Sequence, residues 1–146
     1  NLAHWATIVR RDLGLDITAR PGGGAAGGLG AGCVAFLGAT LENGAAWVGR
    51  QNRLEEAMMQ ADLVITGEGR LDEQTAFGKV PAFVARMAQK LGKRAIALGG
   101  TVAEGLDLQT IGIARCVAVT PPGTPLAAAL RDAKNNLASA AAKLII

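Results

Sequence analysis

The sequence offers one histidine, His4, one serine, Ser139, two cysteines and only 3% aromatic residues. Each scarcity removes a class of chemistry. A Ser/His/Asp nucleophile is disfavoured, because the lone serine lies in an alanine-rich helical pattern near the end. No pair of cysteines or histidines has the spacing of a metal site. Cys33 and Cys116 are far apart, flanked by apolar residues, and read as buried free thiols in a reducing compartment. Basic residues are scattered and the formal charge is only +3. A nucleic-acid footprint would be a clustered basic stripe with aromatics, so no nucleic-acid partner is expected. No apolar run is long enough to span a membrane, and no signal-peptide pattern is seen. A cytoplasmic location with no membrane partner is the expectation.

What is present is small and apolar. Half of the 146 residues are hydrophobic, enough for the core of one ordinary domain. The 20 glycines cluster in turns and in one run. Leu2, Trp5, Ala6, Val9 and Leu13 share a helical face that Gly14 ends. Leu15–Ala19 alternates weakly and is expected to form a short strand. A turn at Pro21–Gly24 then leads into a small-residue helix over about Ala25–Leu37. Leu54, Ala57, Met58 and Ala61 predict a short helix.

Asp62–Thr66 is a compact apolar run suited to a buried parallel strand. Val80, Phe83, Val84, Met87, Ala88 and Leu91 follow helical spacing, with Pro81 in the first turn and Gly92 as the stop. Arg94–Gly100 and Ala114–Thr120 read as two more strands. Thr124 and Pro125 are expected to start a last helix with Leu126, Leu130, Ala133, Leu137, Ala141 and Leu144 on one face. Alternating strands and helices imply an α/β fold over 1–146: a mostly parallel sheet with flanking helices, Rossmann-like and three-layered. The loops after Thr66, Leu98 and Thr120 should share the carboxyl edge, where such sheets bind ligands.

Two stretches on this frame carry chemistry. Gly22–Gly27, "GGGAAG", formally matches G-x-G-x-x-G, but the preceding strand is doubtful and no acidic residue follows at dinucleotide distance. Glycines for a tight turn and close packing are one reading; a backbone anion cradle at a helix N-terminus is the other. Gly78–Lys79 is not a P-loop end, since Glu73 stands where that motif needs glycine and Val80 where it needs Ser or Thr. Lys79 precedes a helix, where a cation is unfavourable unless an anion joins it.

The densest stretch is Gly67–Thr75, "GEGRLDEQT". Gly67 and Gly69 allow a sharp turn off the strand. Arg70 can clamp a carboxylate or phosphate. Glu68 and Asp72 are hard oxygen ligands of the kind magnesium takes, and either could orient an attacking hydroxyl. A surface loop held by its own salt bridges is the plainer reading. The residue types together suit phosphoryl transfer, which needs positioning, cations and a metal rather than histidine or cysteine.

"ADLVITGEGRLDEQTAFGKVP", with "PGGGAAGGLGAG" upstream and "AIALGGTV" downstream, resembles the bacterial glycerate kinase family, type 1. The resemblance runs along essentially the whole chain. It implies an ATP- and magnesium-dependent kinase that acts on D-glycerate and gives 2-phosphoglycerate, built as a two-domain α/β enzyme with its site in the cleft. This sequence departs from the family at Gly23, Phe77 and Thr101, where alanine, histidine and serine are usual. It lacks the family's Asp-Ser-Phe-Lys segment. The expectation is therefore the C-terminal portion of such an enzyme, partnered by its missing N-terminal part. Exposed apolar surface and self-association would follow.

Carried over, the resemblance implies that Arg70 and Lys79 stabilise the phosphoryl group or the glycerate carboxylate. Asp72 or Glu68 holds Mg2+ or takes the hydroxyl proton. Gln74 and Thr75, with Gly67, Gly69 and Gly78, bind substrate. Gly22, Gly24, Gly27 and Gly28 bind an anion or nucleotide. The rival readings are a non-catalytic anion- or nucleotide-binding module derived from that fold, and a charged loop that serves only as a partner interface.

Overall fold

The computed structural model describes residues 2–144. The chain divides into two compact units, Asn1–Trp47 and Val48–Ile146. Where the sequence reads as one α/β region, every strand among the described residues falls in the second unit.

The first unit is helical. Helix α1 (Leu2–Leu13) ends at Gly14, as its pattern predicts. Helix α2 (Ala25–Leu37) also has the predicted bounds. Ala6 and Val9 pack with Ile17, Ala31 and Val34 into a small core. The strand expected at Leu15–Ala19 does not form. Asp16 Oδ1 accepts the Thr18 amide at 2.9 Å, a local turn that competes with extended pairing.

The second unit holds the sheet. Two short helices lead in, α3 (Gly44–Gln51), which begins in the first unit, and α4 (Leu54–Met59). Strands β1 (Leu63–Leu71), β2 (Arg94–Val102) and β3 (Ile113–Ala118) are parallel, in the order β1-β2-β3. Helix α5 (Val80–Lys90) lies between β1 and β2 in sequence and covers one face. Its Ala82, Val84, Ala85 and Ala88 bury against Val64, Leu71, Ala95, Ala97 and Ile113. Alanine on both surfaces brings helix and sheet close, which suits a core with few aromatics.

Both central strands run further than the sequence suggests. β1 was expected to stop at Thr66 and β2 at Gly100; they continue to Leu71 and Val102 because Gly67–Leu71 pairs in register with Leu98–Val102. Gly67 makes this possible: a Cβ there would meet the Leu98 carbonyl oxygen at 2.6 Å. The glycines that resemble a loop are therefore what lets two backbones run close together. β3 starts one residue early, and the Val119 and Thr120 amides still bond the Gly99 and Gly100 carbonyls, at 2.8 and 3.2 Å.

The last helix is two pieces, α6 (Leu126–Arg131) and α7 (Ala133–Ala142), broken at Asp132. Thr124 does not cap it; its hydroxyl turns back to the Pro121 carbonyl at 2.7 Å. These helices face the side of the sheet away from α5 across a cavity of about 690 Å³. No helix among the described residues is long and apolar enough to cross a membrane.

Candidate active site

The cavity is lined by the ends of all three strands: Thr66–Arg70, Leu98–Thr101, and Val119 and Thr120 beyond β3. The three segments expected at one edge thus do meet there. Leu126, Leu130 and Leu137 form its apolar wall, which the sequence reading did not foresee.

The charged residues lie at and just beyond the end of β1. Glu68 and Arg70 are strand residues; Asp72 follows the strand and caps a single 3-10 turn, Glu73–Ala76. The Asp72 side chain accepts the Gln74 amide at 3.0 Å, while the Asp72 amide donates to Thr75 Oγ1 at 3.1 Å. This reciprocal pair is a capping box, and it folds the chain back so that residues seven apart touch. The Thr75 hydroxyl donates its proton to Glu68 Oε1. Lys79 then reaches both carboxylates from the start of α5: Nζ lies 3.6 Å from Glu68 Oε2 and 3.7 Å from Asp72 Oδ1. Arg70 Nε sits 3.5 Å from Asp72 Oδ2. Arg86, which the sequence did not single out, donates to the Ala76 carbonyl at 3.1 Å and ties the turn to α5.

Glu68, Arg70, Asp72, Thr75 and Lys79 thus form one connected cluster of two carboxylates and two cations. Thr75 is completely buried, and its hydroxyl donates to Glu68, so it helps hold the cluster together. Gln74 contributes its amide to Asp72, and its residue is exposed. Gly69 and Gly78 are exposed beside the cluster, and Gly67 sits in the β1–β2 ladder. Phe77, at the tip of the segment, is 83% exposed.

The carboxylate pair fits magnesium. Glu68 Oε2 and Asp72 Oδ1 both approach the same ammonium, so a small cation can share them, and Mg2+ usually takes one or two carboxylates with water and phosphate. Among the described residues no group of three or more such ligands exists, so a dedicated protein cage is absent.

The glycine run belongs to the first unit. Inside α2, Ala26, Gly27 and Gly28 adopt left-handed backbone, with φ of 50, 68 and 94°. The first turn is therefore not a regular helix N-terminus. The Gly28 amide bonds the Gly24 carbonyl at 3.3 Å, and the Ala25 amide bonds that of Gly22 at 3.1 Å. Gly28 is buried, with Leu2 where a Cβ would lie. Gly22, Gly24 and Gly27 are exposed. A cavity of about 230 Å³ lined by Trp5, Arg20, Gly23 and Gly24 lies alongside.

Known proteins resemble this chain along its length. The model of the Glycerate kinase family matches residues 1–146. A glycerate 2-kinase from Escherichia coli (strain K12) is 40% identical over 141 residues, which are 96% of this chain and 37% of that protein. A glycerate kinase from Halalkalibacterium halodurans is 45% identical over 106 residues, 73% of this chain and 28% of that one. A crystal structure assigned as glycerate kinase 2 from Salmonella typhimurium LT2 superposes with a TM-score of 0.65 at 40% identity, covering 92% of this chain and 34% of the other. The chain thus spans about a third of the length of the relatives it matches. On its sequence, its parallel α/β unit and its relatives, this chain belongs to the glycerate kinase family.

Proposed function

We propose that the chain carries one wall of the active cleft of a type 1 glycerate kinase, which transfers the γ-phosphoryl group of ATP to D-glycerate and gives 2-phosphoglycerate. The observation that carries this reading is the convergence of Glu68, Arg70, Asp72 and Lys79 at the carboxyl end of β1. In the transfer, the bond from the γ-phosphorus to its bridging oxygen breaks and a bond to the glycerate hydroxyl oxygen forms. The hydroxyl proton passes to a carboxylate of the Glu68–Asp72 pair. Lys79 and Arg70 offset charge on the transferring group or hold the glycerate carboxylate.

The free cluster is electrically balanced, two cations against two carboxylates. A bare polyphosphate gains little from cations already paired. Magnesium held by Glu68 and Asp72 would supply the positive charge that releases Lys79 and Arg70 toward phosphate oxygens. Thr75 keeps one oxygen of Glu68 fixed, so that Oε2 is the oxygen turned to Lys79.

The test is a coupled assay with ATP, magnesium and D-glycerate, with the product isomer identified by phosphorus NMR. Formation of 2-phosphoglycerate that stops on Asp72→Asn supports the reading. Nucleotide and anion binding with no turnover in a folded, full-length protein would instead favour the binding module.

A further inference from the structure

Of the four carboxylate oxygens in the cluster, two have partners of their own. Thr75 Oγ1 donates to Glu68 Oε1, and Arg70 Nε stands 3.5 Å from Asp72 Oδ2. The other two, Glu68 Oε2 and Asp72 Oδ1, are the oxygens that Lys79 approaches, at 3.6 and 3.7 Å. Asp72 Oδ1 also accepts the Gln74 amide, which leaves it a second acceptor position. These two oxygens are the ones a divalent cation would share. The Glu68 and Asp72 side chains are only 19 and 26% exposed, so a charge beside them is screened less than at an open surface.

An ammonium and a small divalent cation cannot both sit against the same two oxygens, because like charges repel at contact distance. Beyond the two carboxylates, little favours Lys79 where it is. It immediately precedes α5, where a cation meets the positive end of the helix dipole. Its side chain is 39% exposed on a flexible four-carbon stem, so it can swing away without disturbing the core. The partner that would draw it off is an anion, and the phosphate chain of a nucleotide supplies one.

We propose that Lys79 is a placeholder for the metal: it closes Glu68 Oε2 and Asp72 Oδ1 in the free protein and yields them when a phosphate oxygen takes its ammonium. The inference rests on the kinase reading of this cluster and names how the site is regulated. Free divalent metal then binds weakly, because Lys79 must be displaced into solvent. The metal–nucleotide complex binds well, because it gives Lys79 a new partner. Metal and nucleotide therefore raise each other's affinity by the same factor, and Lys79 carries that coupling. Arg70 does not, since it faces the other oxygen of Asp72 and its side chain is 70% exposed.

The test uses a chimera in which this chain replaces the matched stretch of the E. coli relative. Mn2+ is the probe metal, read by electron paramagnetic resonance. Lys79→Met should tighten free Mn2+ binding by roughly tenfold or more, because a cation leaves the two oxygens. The same substitution should weaken binding of the Mn2+ complex of a non-hydrolysable ATP analogue by about tenfold. Arg70→Met removes the same charge and should move free Mn2+ affinity by less than about threefold. Unchanged or weaker free-metal binding in Lys79→Met overturns the proposal. So does equal tightening in the two variants, which would reduce Lys79 to one charge of the general field, and so does Mn2+ binding that persists in Asp72→Asn. Lys79→Gln takes the place of Lys79→Met if that variant does not fold, with the same expected signs. The free-metal arm is also read on the isolated chain, so it decides even where the chimera does not fold. Binding needs no turnover. A chimera that makes phosphoglycerate with no change of metal affinity at Lys79 keeps the kinase reading and loses this inference, and opposite shifts without turnover do the reverse.

Discussion

The buried hydroxyl of Thr75 donates to the Glu68 carboxylate while accepting the Asp72 amide, and so locks two acidic groups into one geometry. Removing it leaves a part-buried amide hydrogen and a carboxylate oxygen without that partner. Thr75→Val should lower stability by about 1–3 kcal/mol and slow turnover by roughly 10–100-fold. Thr75→Ser keeps the hydroxyl and should recover most of the turnover. Denaturant titration and steady-state kinetics on the three proteins check this. Equal turnover in Val and wild type would mean that Glu68 needs no such support.

Lys79 is the common partner of both carboxylates. It is partly exposed, so Lys79→Ala should change stability by less than about 1 kcal/mol. Magnesium–ATP binding should weaken about tenfold or more, because a charge-assisted phosphate contact is lost. Calorimetric titration would show it, and unchanged affinity would take Lys79 out of the nucleotide site.

Two neighbouring glycines should respond in opposite ways. A Cβ at Gly67 would press on the Leu98 carbonyl oxygen at 2.6 Å, whereas Gly69 has open space. Gly67→Ala should cost about 1–3 kcal/mol by forcing β1 and β2 apart, and Gly69→Ala should be nearly neutral. Thermal melts of the pair distinguish the close approach of the two strands at Gly67 from the open space at Gly69.

The Cys116 thiol is pushed above its ordinary range by burial and, to a lesser degree, by the Asp107 carboxylate. Less thiolate is present at a given pH, so alkylation should be slow at about pH 8 and rise only at higher pH. Labelling by iodoacetamide, followed by peptide mass spectrometry, reads this directly. A rate matching that of a free peptide thiol would contradict it.

Much of the frame was legible in the sequence because periodicity and punctuation agreed. Helix α5, with Pro81 in its first turn and Gly92 after its end, falls where the pattern puts it, and so do α1 and α2. The extension of β1 to Leu71 was hidden by charge and glycine, which read locally as loop although the pairing partner on β2 lies far along the chain. Leu15–Ala19 was misread for the reverse reason: its weak alternation had no partner strand, and Asp16 made a turn instead. The cluster members were found from residue type, but the inward role of Thr75 needed the fold. The Asp72–Thr75 spacing of a capping box was the one signal that could have shown it.

The most direct measurement is turnover of ATP and D-glycerate, with magnesium, by the E. coli relative carrying this chain in place of its matched stretch. It is made with and without Asp72→Asn. The account predicts phosphoglycerate formation that falls by roughly 100-fold or more on the substitution, with the fold intact. A folded protein whose turnover is the same with asparagine at that position would contradict it, and the charged end of β1 would not be the site of the reaction.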